Sequence, residues 1–121
     1  MSIYTHIADL GTLPIWEGVV ARAIEGKEMT LAVVELAPGS VVAEHRHPNE
    51  QLGIVLRGSL TFTIGGERRT VGPGDTYNIP AGVPHDAITG PEGAVAVDVF
   101  APVRADWKQY EPAPPARPVW P

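Results

Sequence analysis

The chain has 121 residues and a formal net charge of −5, with thirteen glycines, thirteen prolines and no cysteine. This length is that of one domain and is sufficient for a hydrophobic core. The lack of cysteine excludes disulfides and thiolate chemistry, and the negative charge argues against a nucleic-acid partner. The sequence shows no secretory signal and no apolar run of membrane-spanning length, so we expect a cytoplasmic protein with no membrane partner.

Short β-type segments separated by glycine- and proline-containing turns follow one another along the chain. We predict an irregular arm at residues 1–18, a β-barrel domain at 19–101, and a C-terminal segment at 102–121 with a short helix at 105–110. Many short strands with tight turns are typical of a sandwich or a jelly-roll barrel. The proline-rich tail is expected to be extended on the surface or on a partner subunit, or else disordered. The predicted strands are 19–24, 29–36, 41–45, 51–57, 60–64, 68–71, 76–79, 84–88 and 94–100.

Three of the four histidines lie in two segments bounded by turns. His45 and His47 are two residues apart, so both side chains leave the same face of a strand. Gln51 has the same parity if the strand resumes in phase, and His85 follows a Pro-Ala-Gly-Val-Pro turn. Three imidazoles suit a divalent Zn, Cu, Fe or Ni ion, and the Gln51 amide oxygen would add a fourth ligand. A histidine without such neighbours is usually a surface residue, and we assign His6 that way.

The spacing of the first group resembles the first motif of the cupin superfamily. That motif has a glycine, five residues, His-x-His, three or four residues, usually a glutamate, six residues and a glycine. This chain has Gly39, His45, His47, Gln51 and Gly58 at those places.

The second cupin motif is also matched. It has a glycine, five residues, Pro-x-Gly, two residues and a histidine, followed after three residues by what is often an asparagine. The matching positions are Gly74, Pro80, Gly82 and His85, with Thr89 at the asparagine position. The resemblance implies an all-β double-stranded β-helix (jelly-roll) barrel, usually a homodimer, with one Ni, Zn, Fe, Mn or Cu ion bound in the barrel mouth.

One position departs from the cupin pattern, because Gln51 replaces the usual glutamate. The neighbouring Glu50 has the opposite parity and is expected to face solvent, so we predict Gln51 as the ligand. Gly53 would line the same face as Gln51 and leave room beside the metal. Three neutral imidazoles and an amide leave the metal charge uncancelled, which favours an anionic substrate group.

A second polar group follows on the last predicted strand. Asp98 and Phe100 share a parity and are expected to face the cavity, and Arg104 would close over its mouth. Asp98 is either a structural carboxylate or a general acid/base. Arg104 is either a surface residue or the partner of a substrate carboxylate.

The stretch from Asp98 to Trp107, together with both motifs, resembles a branch of small cupins that includes pectin-degradation proteins. Members of this branch linearise unsaturated uronates, and the resemblance implies roles in the chemistry for Asp98, Phe100 and Arg104. We therefore predict a metal-dependent enzyme that opens or isomerises a small anionic uronate. The alternatives are a metal-dependent dioxygenase or other oxidative cupin, non-oxidative chemistry such as polyketide cyclisation, and a non-catalytic binding cupin.

The apolar residues that are not needed inside a small barrel predict a homodimer. Leu52, Ile54 and Leu56 point away from the metal-facing side of their strand, and Trp16 and the proline-rich tail add further apolar surface. Pairing of subunits would also protect the sheet edges.

Overall fold

The computed structural model describes residues 3–121 as an antiparallel β-barrel with two short 3₁₀ helices. This architecture confirms the all-β jelly-roll prediction. The helices lie at Ile7–Asp9 and Ala105–Gln109. In the described residues the strands are β1 Leu13–Trp16, β2 Val19–Glu25, β3 Thr30–Leu36, β4 Val41–His45, β5 Glu50–Ile64, β6 Glu67–Val71, β7 Thr76–Ile79 and β8 His85–Ala101.

The barrel is organised around two long strands, β5 and β8. The sheet runs in the order β1-β2-β3-β8-β5-β6, with β4 paired to β8 and β7 paired to β5. All these pairs are antiparallel, and the β5–β6 hairpin turns at Gly65-Gly66, as its sequence predicted. Both glycines have positive φ, which a two-residue hairpin of the favoured type requires. Because β8 pairs with β3, β4 and β5, it is a central strand, and the side chains on one of its faces point into the barrel.

The prediction of separate short strands was wrong for β5 and β8. We expected breaks near Gly58 and between residues 88 and 94, but pairing between the two strands continues through register shifts on either side of Gly58. Gly58 of β5 and Gly93 of β8 approach each other closely, since a Cβ at Gly58 would lie only 1.8 Å from the Gly93 carbonyl oxygen. The two strands bend where these glycines meet. Such bulges bend a strand without ending it.

The N-terminal arm is not irregular throughout, since β1 pairs with β2. Its partly buried Leu13 and Ile15 pack against the core, and this burial favours strand pairing over a loose arm. His6 is exposed, as predicted, and its Nδ1 accepts a hydrogen bond from the Ala8 amide at the start of the first 3₁₀ helix.

The proline-rich tail is ordered and extended on the protein's own sheet. Ala113 pairs with Thr12 in an isolated bridge. Further along, the Ala116 carbonyl accepts a hydrogen bond from Arg22, and the Val119 amide donates one to Glu35. The tail thereby covers one part of the outer face of β2 and β3.

Under the tail lies a buried ion pair, Arg22–Glu35, with an N–O distance of 2.7 Å. Arg22 is 2% exposed. We expect Glu35→Ala to lower the free energy of unfolding by about 3 kcal/mol, because it leaves a buried cation without its partner. The matched control is Glu67→Ala, whose pair with Arg69 is exposed on both sides and is worth about 0–1 kcal/mol. Urea unfolding of both variants measures the difference, and equal losses would contradict the prediction.

Neither helix in residues 3–121 has the length and apolar character needed to cross a membrane.

Candidate metal centre

Three histidine rings meet at one mouth of the barrel. His45 ends β4, His47 lies in the turn that follows, and His85 begins β8 opposite His45 in the strand register. Their ring centroids are 4.3 to 5.8 Å apart, and their candidate ligand atoms lie within 4.8 Å of one another. The turn before β8 thus brings His85 to the two histidines of the first motif.

All three rings have the same second interaction, a hydrogen bond between Nδ1 and a backbone carbonyl. The partners are Ala43 for His45 at 2.8 Å, Asn49 for His47 at 3.0 Å and Val83 for His85 at 2.9 Å. A carbonyl only accepts, so each Nδ1 carries the proton and each Nε2 keeps its lone pair. Metal-binding histidines are characteristically held in this way.

Gln51 completes the group from the start of β5. It is buried, and its Oε1 lies 3.1 Å from His47 Nε2. Because His47 Nδ1 holds the ring proton, the lone pair of His47 Nε2 faces a lone pair of the Gln51 oxygen. A cation bound to both atoms would relieve the repulsion between these lone pairs. The neighbouring Glu50 is exposed, so the parity expected from the sequence is the one that the structure has.

Burial favours the neutral form of two of these rings, His47 and His85. Burial lowers the pKa of His85 to about 4. Burial also lowers the pKa of His47, and the positive charge of Arg104 acts in the same direction. Neutral imidazole is the form that binds a metal, so the donor set of three histidines and an amide oxygen fits a divalent transition-metal ion.

The inner face of β8 places Asp98 and Phe100 next to this group. Phe100 is buried and meets the His47 ring edge-on at 5.9 Å between centroids. Asp98 is 6% exposed and accepts a hydrogen bond from the Tyr77 hydroxyl at 2.5 Å. Burial raises the pKa of Asp98 to about 6, against the hydrogen bonds from Tyr77 and Gln51 and the charge of Arg104.

Arg104 lies at the same cavity but is already paired. Its guanidinium is 4.7 Å from the centre of the Phe100 ring and 4.6 Å from that of Trp107. Its Nε and Nη2 donate to the two carboxylate oxygens of Asp106, at 3.0 and 2.9 Å. This interaction lowers the pKa of Asp106. The two parallel hydrogen bonds that this guanidinium makes are therefore directed to Asp106 of the same chain.

Two residues of this site had no role predicted from the sequence. Tyr77 lies in β7, and only the pairing of β7 with β5 brings it to Asp98. Asp106 lies two residues after Arg104 in the Arg-x-Asp-Trp stretch, and that spacing was its only local signal. Trp16, expected to add apolar surface for a dimer, also lines the cavity, and its ring centroid is 5.2 Å from that of His45.

The chain belongs to the cupin family, since the family model of the cupin domain matches residues 32–100. Among proteins of known name it is 32% identical, over 81 residues, to the pectin degradation protein KdgF of Dickeya dadantii. That match spans 66% of this chain and 74% of the relative.

A second relative and a solved structure are also similar to this chain. The chain is 33% identical over 67 residues to the dimethylsulfoniopropionate lyase DddW of Ruegeria pomeroyi, covering 55% of this chain and 44% of that protein. The structure of KdgF from Halomonas sp. superposes with a TM-score of 0.79 at 22% identity, over 88% of this chain and 98% of that one. The second likeness shows the fold of a small cupin.

Proposed function

We propose that this protein is a metal-dependent cupin that opens a 4,5-unsaturated uronate ring and isomerises it to the open keto form. The observation that carries the proposal is the common arrangement of the three histidines, with each Nδ1 on a backbone carbonyl and candidate ligand atoms within 4.8 Å of one another. Asp98 and Arg104 line the same cavity. The similarity to a pectin degradation protein supports the choice of substrate.

In this proposal His45, His47, Gln51 and His85 hold one divalent ion, which supplies Lewis-acid stabilisation of negative charge on substrate oxygens. The Nη1 group of Arg104 binds the substrate carboxylate while Asp106 keeps the guanidinium in place. Phe100 forms an apolar wall behind the ring. These contacts orient the sugar and exclude water from the reacting carbons.

Asp98 is the group that moves the proton. Ring opening removes a proton from the anomeric hydroxyl, breaks the bond between the anomeric carbon and the ring oxygen, and leaves an enolate at C5. Delivery of that proton to C4 then converts the enolate to the ketone, so the reaction is an isomerisation with no net proton change. A buried carboxylate at the metal-facing side of the cavity is suited to accept the first proton and deliver the second.

The test is turnover of a 4,5-unsaturated uronate monomer, followed by the loss of its ultraviolet absorbance. We expect loss that depends on added metal and stops when a chelator removes it. No acceleration over the uncatalysed rate by metal-loaded protein would contradict the uronate substrate. Dimethylsulfoniopropionate, because of the second relative, and oxygen uptake with a catechol or diketone would then be assayed.

We also propose that the protein is a homodimer through the outer face of its sheet. Ile24, Leu31, Val99 and Leu52 are cross-strand partners in one continuous row on this face. Three of them are well exposed: Ile24 at 48%, Leu31 at 39% and Leu52 at 49%. A contiguous apolar row beside the covered part of the sheet is typical of a protein interface.

We expect Leu52→Asp to convert the dimer to a monomer, because it places a charge on that apolar row. Light scattering at micromolar concentration measures the mass. The control is Val41→Asp, which changes another exposed apolar residue on a different strand and should leave the dimer intact. A wild-type monomer would contradict the proposal.

A further inference from the structure

Tyr77 and Asp98 meet above a residue that has no side chain. In the strand register Gly53 of β5 is the partner of Tyr77 on β7 and of Asp98 on β8. All three residues therefore lie on the same inner face, with Gly53 in the middle. The Tyr77 and Asp98 side chains lean toward each other across it and form a hydrogen bond of 2.5 Å.

The absence of a side chain at position 53 is required for this bond. A Cβ at Gly53 would lie 2.2 Å from the Tyr77 ring carbon Cζ and 2.3 Å from Asp98 Oδ1. Both distances are far inside van der Waals contact, and both atoms belong to the hydrogen-bonded pair. The sequence suggested that Gly53 leaves room beside the metal. In the structure Tyr77 and Asp98 fill that room.

Gln51 lies on the same inner face as Asp98. Its partner on β8 is Phe100, two residues from Asp98, so the Gln51 and Asp98 side chains are diagonal neighbours. The Gln51 amide oxygen lies 3.1 Å from His47 Nε2, which turns the amide nitrogen away from that ring. The nitrogen is the only donor of this side chain, and a hydrogen bond from Gln51 lowers the pKa of Asp98.

We infer that Tyr77 is a positioning residue of the metal centre, which acts through Asp98 to hold the Gln51 amide with its oxygen toward His45, His47 and His85. Gly53 makes this possible by leaving the path between Tyr77 and Asp98 open. A carboxylate at position 51 would not serve, because it has no N–H for Asp98 and would place two negative charges side by side. This inference rests on the metal-binding part of the proposed function and is independent of the substrate.

The experiment measures the affinity of the full-length protein for Ni²⁺ alone, by competition with a chelator. We expect Tyr77→Phe to weaken Ni²⁺ binding by about 10-fold, at the lower end of the range for residues that orient ligands. The control is Tyr110→Phe, which removes a hydroxyl bonded to the Ile15 carbonyl away from the metal site and should leave the affinity unchanged. An unchanged affinity in Tyr77→Phe would overturn the inference.

A double-mutant cycle separates positioning from general weakening of the fold. Because Tyr77 acts through Asp98, Tyr77→Phe should have no further effect on Ni²⁺ affinity once Asp98→Ala is present. Independent losses that simply add would contradict the inference. The visible spectrum of the Co²⁺-loaded protein should change in Tyr77→Phe and stay as in the wild type in Tyr110→Phe, since it reports the ligands around the ion.

Gly53→Ala should also weaken Ni²⁺ binding, by at least as much as Tyr77→Phe, because the added Cβ would clash with both Tyr77 and Asp98. If this variant does not fold, Tyr77→Phe and the cycle still decide the inference. The outcomes also separate it from the proposed reaction. Wild-type protein that binds Ni²⁺ but leaves the uronate unchanged contradicts the substrate only, whereas wild-type protein that binds no metal contradicts both.

Discussion

Asp98→Asn should lower kcat for the unsaturated uronate by about 1,000-fold, within the range of a general acid/base. The amide keeps the size of the carboxylate but cannot carry the proton between the anomeric oxygen and C4. Because Arg104 and Phe100 remain in place, KM should stay within about twofold of the wild-type value. Steady-state kinetics at saturating metal measure both constants.

Two observations keep this result from being explained by loss of structure or of metal. The variant should hold one metal ion per chain at saturation, since the three histidine rings keep their carbonyl partners. Asp9→Asn makes the same substitution at an exposed position in the first 3₁₀ helix and should leave kcat unchanged. Activity of Asp98→Asn close to that of the wild type would assign Asp98 a structural role and remove it from the mechanism.

His85→Ala should weaken metal binding by more than about 100-fold, beyond the loss seen when an outer orienting residue is changed. His85 is one of three imidazoles in the site and the one that the second motif supplies, so its removal leaves His45 and His47 on one side only. Uronate turnover should be lost with the metal. Metal content by mass spectrometry and Ni²⁺ affinity by chelator competition measure the effect.

The control for this variant is His6→Ala. His6 is exposed and contacts the backbone of its own helix, so metal content and turnover should match those of the wild type. If His85→Ala bound metal as tightly as the wild type, the four-ligand set would be wrong, and the proposed role of the Nε2 atoms would fall with it.

Spacing and the resemblance to the two cupin motifs together predicted which histidines meet. His45 and His47 were expected on one face of a strand, but β4 ends at His45, and the His47 ring meets it from the segment that follows. The same alternation predicted Gln51 as buried and Glu50 as exposed, and the structure places them so. Asp98 and Phe100 face inward for the same reason, because burial alternates along β8 at residues 96–101.

Strand ends were harder to predict, because turn residues do not always make turns. Gly58 and the segment between residues 88 and 94 were expected to break strands. In the barrel they are bends within β5 and β8, whose pairing spans both halves of the fold. A glycine can end a strand or bend it, and only the partner strand decides which.

Arg104 shows the limit of assigning a role from residue type and position. Its place at the cavity mouth is as expected, yet its bidentate partner is Asp106. Pairing within the chain restricts the guanidinium to one orientation before any ligand arrives. In the proposed function, the substrate carboxylate would then meet a group already held in place, which costs less entropy than ordering a free side chain.

By itself the sequence was enough to predict the fold class and a candidate set of metal ligands, since turn chemistry, strand alternation and the two cupin motifs are all written in local spacing. The tertiary structure decided what joins distant segments. Tyr77 reaches Asp98 only because β7 and β8 both pair with β5 around Gly53, and the tail covers Arg22 only because it folds back over its own sheet. Such contacts depend on the packing of strands far apart in the chain, where local spacing carries no information.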